Sequence, residues 1–175
     1  RLKHKNLRIF KGRPLFLNTL LLAKKCKIID EIIVSSENKK ILLKLKDKKN
    51  ILFRLRPEKL ASDKAKASEV ILDVLKNIQK SYDYFIYLQP TSPLRNVFDI
   101  ECSFRKVIGK NKKSLISVAE KSSAPNGAIY ISKIDEYVKT KSFLNDFFSN
   151  YKMPKNRSID IDHIKDFEKA RRVNL

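Results

Sequence analysis

The sequence predicts an α/β domain with a mainly parallel sheet. Short β-branched, apolar runs alternate with helical patterns of about 10–15 residues, the rhythm of βαβ units. Polar clusters rich in Ser, Thr, Arg and Pro follow directly after several of those runs. In such sheets ligands bind at the carboxyl ends of strands. A chain of 175 residues, 42% hydrophobic, is one domain's worth and can bury a real core.

Pro14 pre-sets the first turn of a helix over Pro14–Cys26, and its leucines fill more than one face, so it is read as buried. Glu31–Ser36 (EIIVSS) is a short buried strand. Asn38–Lys48 spaces Ile41, Leu42 and Leu45 as a helix does. Ile51–Arg56 (ILFRLR) alternates as a strand until Pro57 stops it. Lys66–Lys80 is the clearest helix, with Val70, Ile71, Val74, Leu75 and Ile78 on one face. Tyr84–Gln89 is a strand that ends at Pro90-Thr91-Ser92-Pro93. Val97–Ile108 is helical, with Gly109 as its cap. Leu115–Ala119 and Ala128–Ser132 are strands, and Ile134–Lys139 is a short helix. Ser158–Asp162 is a strand end, and His163–Val173 is the last helix.

Composition narrows the function classes. No apolar run is long enough to span a membrane, and no secretory signal opens the chain. Cys26 and Cys102 fit a reducing compartment, and they are too few for a disulfide framework or a zinc site. A cytoplasmic protein is the expectation. The net charge of +20 raises a polyanion partner. However, the lysines fall in small groups (Lys3/Lys5, Lys24/Lys25, Lys39/Lys40, Lys44–Lys49, Lys110–Lys113) rather than in one block. That scatter favours lysine-rich composition over a nucleic-acid face.

Asp160 and Asp162 alternate with Ile159 and Ile161, which puts both carboxylates on one side. A pair of carboxylates at a strand end suits a hard cation such as Mg²⁺, which takes one or two carboxylates plus substrate phosphates. A solvated strand edge would show the same pattern. Gln89 to Arg95 (QPTSPLR) sets an amide, two hydroxyls and a guanidinium in a turn stiffened by two prolines. Such a turn offers fixed donors and a charge to a sugar or carboxylate. Arg56 closes a strand, where its fork could bind a base or phosphate.

Four segments, RPEKLASD (56–63), LQPTSPLR (88–95), PNGAIYIS (125–132) and SIDID (158–162), together resemble the acylneuraminate cytidylyltransferases. These are the CMP-N-acetylneuraminic acid synthetases, with relatives acting on legionaminic and other nonulosonic acids. HKNLRIFKGRPL (4–15) and IIDEIIVSSEN (28–38) extend the resemblance over nearly the whole chain. It implies a three-layer, Rossmann-like nucleotidyltransferase fold and a homodimer. The implied reaction joins CTP to a nine-carbon sugar acid with release of pyrophosphate, assisted by Mg²⁺. On that resemblance Lys5, Asn6, Arg56 and Ser62 would contact CTP. Gln89, Thr91, Ser92, Arg95 and Tyr130 would contact the sugar. Asp160 and Asp162 would hold the metal, and with Lys5 they form the expected catalytic set.

Three departures stand out. The family opens with a strand and a Gly/Ser-rich phosphate loop, whereas this sequence starts at Arg1, past that point. The family also carries an extra segment where Ser122 runs almost directly into Pro125 here. A piece of a longer protein and a genuinely shortened, inactive relative both fit. In Lys64–Ser68, lysines replace hydroxyl residues, so one nucleotide contact is lost or becomes a lysine–phosphate contact. The rival reading is a non-catalytic domain on the same fold, binding nucleic acid or a protein partner.

Overall fold

The structure, a computed structural model, describes residues 2, 4–43, 45, 51–62 and 65–174. It begins with a 3-10 turn (Lys5–Leu7) and a small hairpin, β1 (Ile9–Phe10) and β2 (Arg13–Pro14). The hairpin turns through Lys11 and Gly12, both at positive φ (48° and 83°), the backbone that a tight two-residue hairpin turn requires. After α1 (Leu15–Lys25) come β3 (Ile32–Ser36), α2 (Lys39–Leu43) and β4 (Ile51–Leu55). β3 and β4 pair in parallel, as the alternation predicts. Most of the expected continuation of α2 toward Lys48, like Asp63, Lys64 and most of the Lys44–Lys49 group, lies outside the described residues. α3 (Ala67–Lys76) is tied to β4 by Arg54, whose fork grips Asp73 through two 2.9 Å hydrogen bonds.

The main sheet contains β5 (Tyr84–Tyr87), β6 (Ser114–Ala119), β7 (Pro125–Lys133) and β8 (Phe148–Met153), in the order β5-β7-β6-β8. α4 (Val97–Gly109) carries the chain from β5 to β6. β8 is parallel to β6, but β7 is antiparallel to both of its neighbours. The sheet is therefore mixed rather than mainly parallel. Residues 120–124 alone join β6 to β7, too few for a crossover, so β7 has to fold straight back.

Two more expectations are corrected. Residues 158–162 join no strand ladder. Their backbone ties are single bonds, from Ile161 N–H to Thr91 O (2.8 Å) and from Leu2 N–H to Asp162 O (3.0 Å). β8 supplies the strand beside β6 instead. It buries only Met153 fully, so its sequence shows no apolar alternation. Gly109 is also not the cap of α4. Asn111 takes the left-handed conformation (φ 48°), its N–H bonds Ile108 O, and the next N–H, of Lys112, reaches Val107 O.

Period-2 alternation gives the sheet two different faces. Tyr84, Ile86, Leu115, Ile129 and Ile131 face α1 and α4, forming one core with Cys26, Ile100, Val107 and Met153. Phe85, Tyr87, Ile116 and Tyr130 lie on the other face, where α5 (Ile134–Thr140) contributes the buried Tyr137. α6 (Ile164–Arg172) packs Phe167 and Ala170 against Phe10, Leu15, Leu94 and Ile161. Both cysteines are free, and burial pushes the Cys26 thiol up to about 11. Among the described residues no helix is long and apolar enough to cross a membrane.

Candidate active site

The two-proline turn after β5 is the centre of the site. Ser92 N–H bonds Gln89 O (3.3 Å), which closes the turn, and Thr91 O accepts from Ile161 N–H. This last bond brings the Asp160–Asp162 stretch alongside. Thr91 and Ser92 are buried. Ser92 Oγ makes two loose contacts, 3.4 Å to Asn126 O and 3.5 Å to Asp160 Oδ1.

Gly127, at the start of β7, is where these groups converge. Its φ is +75°, and a Cβ placed on it would lie 3.0 Å from Asp160 Oδ2, 3.1 Å from Gln89 Oε1 and 3.1 Å from Ser92 Oγ. Only glycine meets both conditions, the left-handed backbone and the lack of space. The NG dipeptide ahead of AIYIS carried this signal in the sequence. Gly127→Ala should destabilise the fold by about 1–2 kcal/mol from backbone strain. It should also lower turnover by roughly 10–100-fold, because the three side chains must move apart. Thermal melting and steady-state kinetics check both numbers.

A buried polar network fixes the surroundings. Asn126 accepts from Ser117 Oγ (2.6 Å) and from Ala128 N–H (3.2 Å), and its amide donates to Ser158 Oγ (3.0 Å). Asp99, 0% exposed at the first turn of α4, receives two 2.9 Å hydrogen bonds from the fork of Arg157 and one from Tyr151 Oη (3.3 Å). These bonds hold the loop between β8 and Asp160. The sequence reading missed Asp99, Asn126 and Arg157, because nothing local marks a long-range partner.

Lys5 extends the site from the other side. Its Nζ donates to Asp162 Oδ1 (2.8 Å) and to Ile161 O (3.1 Å). Leu7, in the same turn, packs with the apolar cluster of Phe16, Leu20 and Ile51, so the turn joins the β3–β4 unit to the Asp160–Asp162 stretch. Asn6 Oδ1 is buried without a hydrogen-bond partner among the described residues. Asp160 is half-buried and forms no ion pair among the described residues. Ile161, between the two aspartates, is buried, and Ile159 packs with the same cluster.

Other expected residues are placed differently. Arg56 folds over the carboxyl end of β3, where it donates to Ser35 O (3.1 Å) and pairs with Glu37 (3.5 Å). Ser62 is exposed, and its carbonyl accepts from Ala65 N–H. None of the hydrogen bonds of Arg56 or Ser62 reaches the Gly127 group. Arg95, expected at the sugar, is turned inward and only 3% exposed. Its geometry is that of a brace for the turn rather than a surface contact.

Gln89 and Tyr130 share a cavity of about 280 Å³ with Ser68, Tyr87, Lys141 and Phe143. Phe143 is the hub of its aromatic wall, with ring centroids 4.7 Å from Tyr137, 5.1 Å from Tyr130 and 5.6 Å from Phe85. Burial pushes the Tyr130 phenol up, and the Asp160 charge adds to this, so it is a hydrogen-bond donor at neutral pH. The alternation of AIYIS accounts for Tyr130: it points away from Ile129 and Ile131, into the cavity rather than the core.

The mixed sheet thus gathers a carboxylate, an amide and a hydroxyl around Gly127, with the Lys5–Asp162 bridge on the adjoining stretch. The cytidylyltransferase family profile matches residues 1–162, and the chain belongs to that family. It is 30% identical, over 203 aligned residues, to N-acylneuraminate cytidylyltransferase of Escherichia coli O18:K1:H7, covering 97% of this chain and 48% of that protein. It is 32% identical to CMP-N,N'-diacetyllegionaminic acid synthase of Legionella pneumophila, covering 82% of this chain and 62% of that protein. The chain thus spans about half to three-fifths of the length of these relatives. The solved structure of CMP:2-keto-3-deoxy-manno-octonic acid synthetase complexed with CTP shares the fold. Its TM-score is 0.75 at 12% identity, and the match covers 98% of this chain and 91% of that one.

Proposed function

We propose that this domain activates a nonulosonic acid with CTP, giving the CMP-sugar and pyrophosphate. The observation that carries the reading is the convergence of Asp160, Gln89 and Ser92 on Gly127, beside the Lys5–Asp162 bridge. Family membership and the two relatives support it.

The residues fit a hard divalent cation. Asp160 offers a half-buried carboxylate without an ion pair among the described residues, next to the neutral oxygens of Gln89 and Ser92. No cluster of three or more His, Cys, Asp or Glu occurs among the described residues, so a cage built by protein alone is absent there. Mg²⁺ commonly binds through one or two carboxylates, with substrate phosphates and water completing its shell. Asp160 and Asp162 would hold it, and when bound it would neutralise charge on the phosphates.

The chain's own residues do the rest. Lys5 presents an ammonium at the phosphates, and Asn6 offers its unpartnered Oδ1 to a nucleotide donor. Arg56 and Ser62 flank the nucleotide from the β4 side. Gln89, Thr91 and Tyr130 position the sugar acid, and the aromatic wall around Phe143 keeps water from its apolar parts. Such catalysis is mostly positioning and electrostatics. A homodimer is part of the same reading, and the exposed Leu144, Phe147 and Phe148 offer it an apolar surface. A nucleic-acid-binding role has no comparable support.

The test is pyrophosphate release from CTP by the full-length protein, with N-acetylneuraminic or diacetyllegionaminic acid, in the presence and absence of Mg²⁺. Mg²⁺-dependent release with one of them is expected. No release with any nonulosonic acid overturns the reading.

A further inference from the structure

We infer that Arg95 is a positioning residue: its buried guanidinium fixes the Gln89–Ser92 turn, and so places Gln89 and Ser92 against Asp160. The inference rests on the proposed function for its kinetic consequence, though not for its geometry.

One nitrogen, Nη1, donates to both Gln89 O (2.8 Å) and Ser92 O (2.7 Å), so the two ends of the turn hang on a single atom. The second, Nη2, donates to Thr19 Oγ1 of α1 (2.6 Å), which anchors the turn to the helix beneath it. Nε is buried and has no hydrogen-bond partner among the described residues. Among the described residues no carboxylate lies within ion-pairing distance, so this is a buried cation satisfied by two carbonyls and a hydroxyl. Burial pushes it down to about 9, against the opposing charges of Asp160 and Asp99, and it is still a cation at pH 7.

Burying an unpaired charge is costly, and a neutral side chain of similar shape would fill the volume more cheaply. The fork does what an apolar side chain cannot. It holds two carbonyls at fixed spacing, on a turn whose prolines supply no N–H at positions 90 and 93. Both residues at the ends of that span, Gln89 and Ser92, place side-chain oxygens at 3.1 Å from the Cβ position of Gly127. A small displacement of the turn therefore reaches the site at two points, while the hydrogen bonds of Arg95 among the described residues go to Gln89, Ser92 and Thr19 and none goes to Lys5, Asn6 or Arg56.

The experiment compares Arg95→Met, Arg95→Lys and Thr19→Val with the wild type in the full-length protein. Hydrogen exchange across residues 88–95 is measured alongside kcat and KM for each substrate. Arg95→Met should speed exchange in this segment but not in α5 or α6. It should lower kcat by about 100-fold, the cost of roughly 1 Å of misplacement, with KM for CTP within about twofold. Arg95→Lys should recover part of the loss, since one carbonyl keeps a charged donor. Thr19→Val should give a smaller loss of the same kind, and it serves if Arg95→Met does not fold. Unchanged exchange in the turn overturns the inference, whatever the wild-type activity. So does unchanged kcat in an Arg95 variant that merely melts earlier. An inactive wild type with faster exchange in the variants would refute the proposed function and leave the bracing role standing.

Discussion

Asp160→Asn should lower kcat for pyrophosphate release by on the order of 1,000-fold while the protein stays folded. The substitution keeps the shape and removes the charge. Among the described residues the carboxylate's one side-chain hydrogen bond is the loose one from Ser92, so little stability depends on it. What is lost is an anionic oxygen for the cation, and several kcal/mol of charge stabilisation goes with it. Binding of Mn²⁺ with CTP, followed by electron paramagnetic resonance, should weaken in parallel. Asp162→Asn should also abolish turnover, but it loosens Lys5 as well, whose Nζ sits 2.8 Å from Asp162 Oδ1. Near-normal turnover in either variant would contradict the assigned site.

The second large effect concerns stability. Asp99→Ala removes an acceptor that is 0% exposed and leaves Arg157 without its two 2.9 Å partners. The hydrogen bonds to Asp99 hold the Arg157 guanidinium above its usual range. Removing one member of a buried pair costs about 3–5 kcal/mol, because the other charge is left uncompensated. The Asn96 N–H that Asp99 caps also loses its acceptor. At this chain length each kcal/mol shifts Tm by about 2–4 °C, so a drop on the order of 10 °C is expected. Asp99→Leu combined with Arg157→Met should recover much of that, since the orphaned charge is gone. A single-variant drop below about 3 °C would show that the pair matters little. The same variant should also lower turnover, because Arg157 holds the loop that leads to Asp160.

Much of the fold was legible because local patterns and tertiary packing agree. The helix expected over Lys66–Lys80 forms on Val70, Ile71, Val74 and Leu75 but ends at Lys76, short of Ile78. The β3–β4 unit forms in parallel register across Ile32–Ser36 and Ile51–Leu55. Other features were hidden. β8 (FSNYKM) has no apolar alternation because only its last residue is fully buried, so its existence depends on pairing with β6. SIDID has the alternation but no ladder, because it makes only isolated backbone bonds: Ile161 N–H donates to Thr91 O, and Leu2 N–H donates to Asp162 O. The reversed direction of β7 was in principle readable from the five-residue link before it.

The candidate site divides in the same way. Residue types and their order along the chain were enough to identify the family and to single out Lys5, Gln89, Ser92, Tyr130, Asp160 and Asp162. Strand periodicity alone places Tyr130 opposite Ile129 and Ile131. The roles of Arg95, Gly127 and the Asp99–Arg157 pair were decided only by the tertiary structure. Each depends on groups far apart in sequence meeting at one place: Arg95 with Thr19, Gly127 with Asp160 and Gln89, and Asp99 with Arg157. A one-dimensional pattern records which face a side chain prefers. It does not record which distant backbone will stand there, and that decides whether an arginine reaches a ligand or braces a turn.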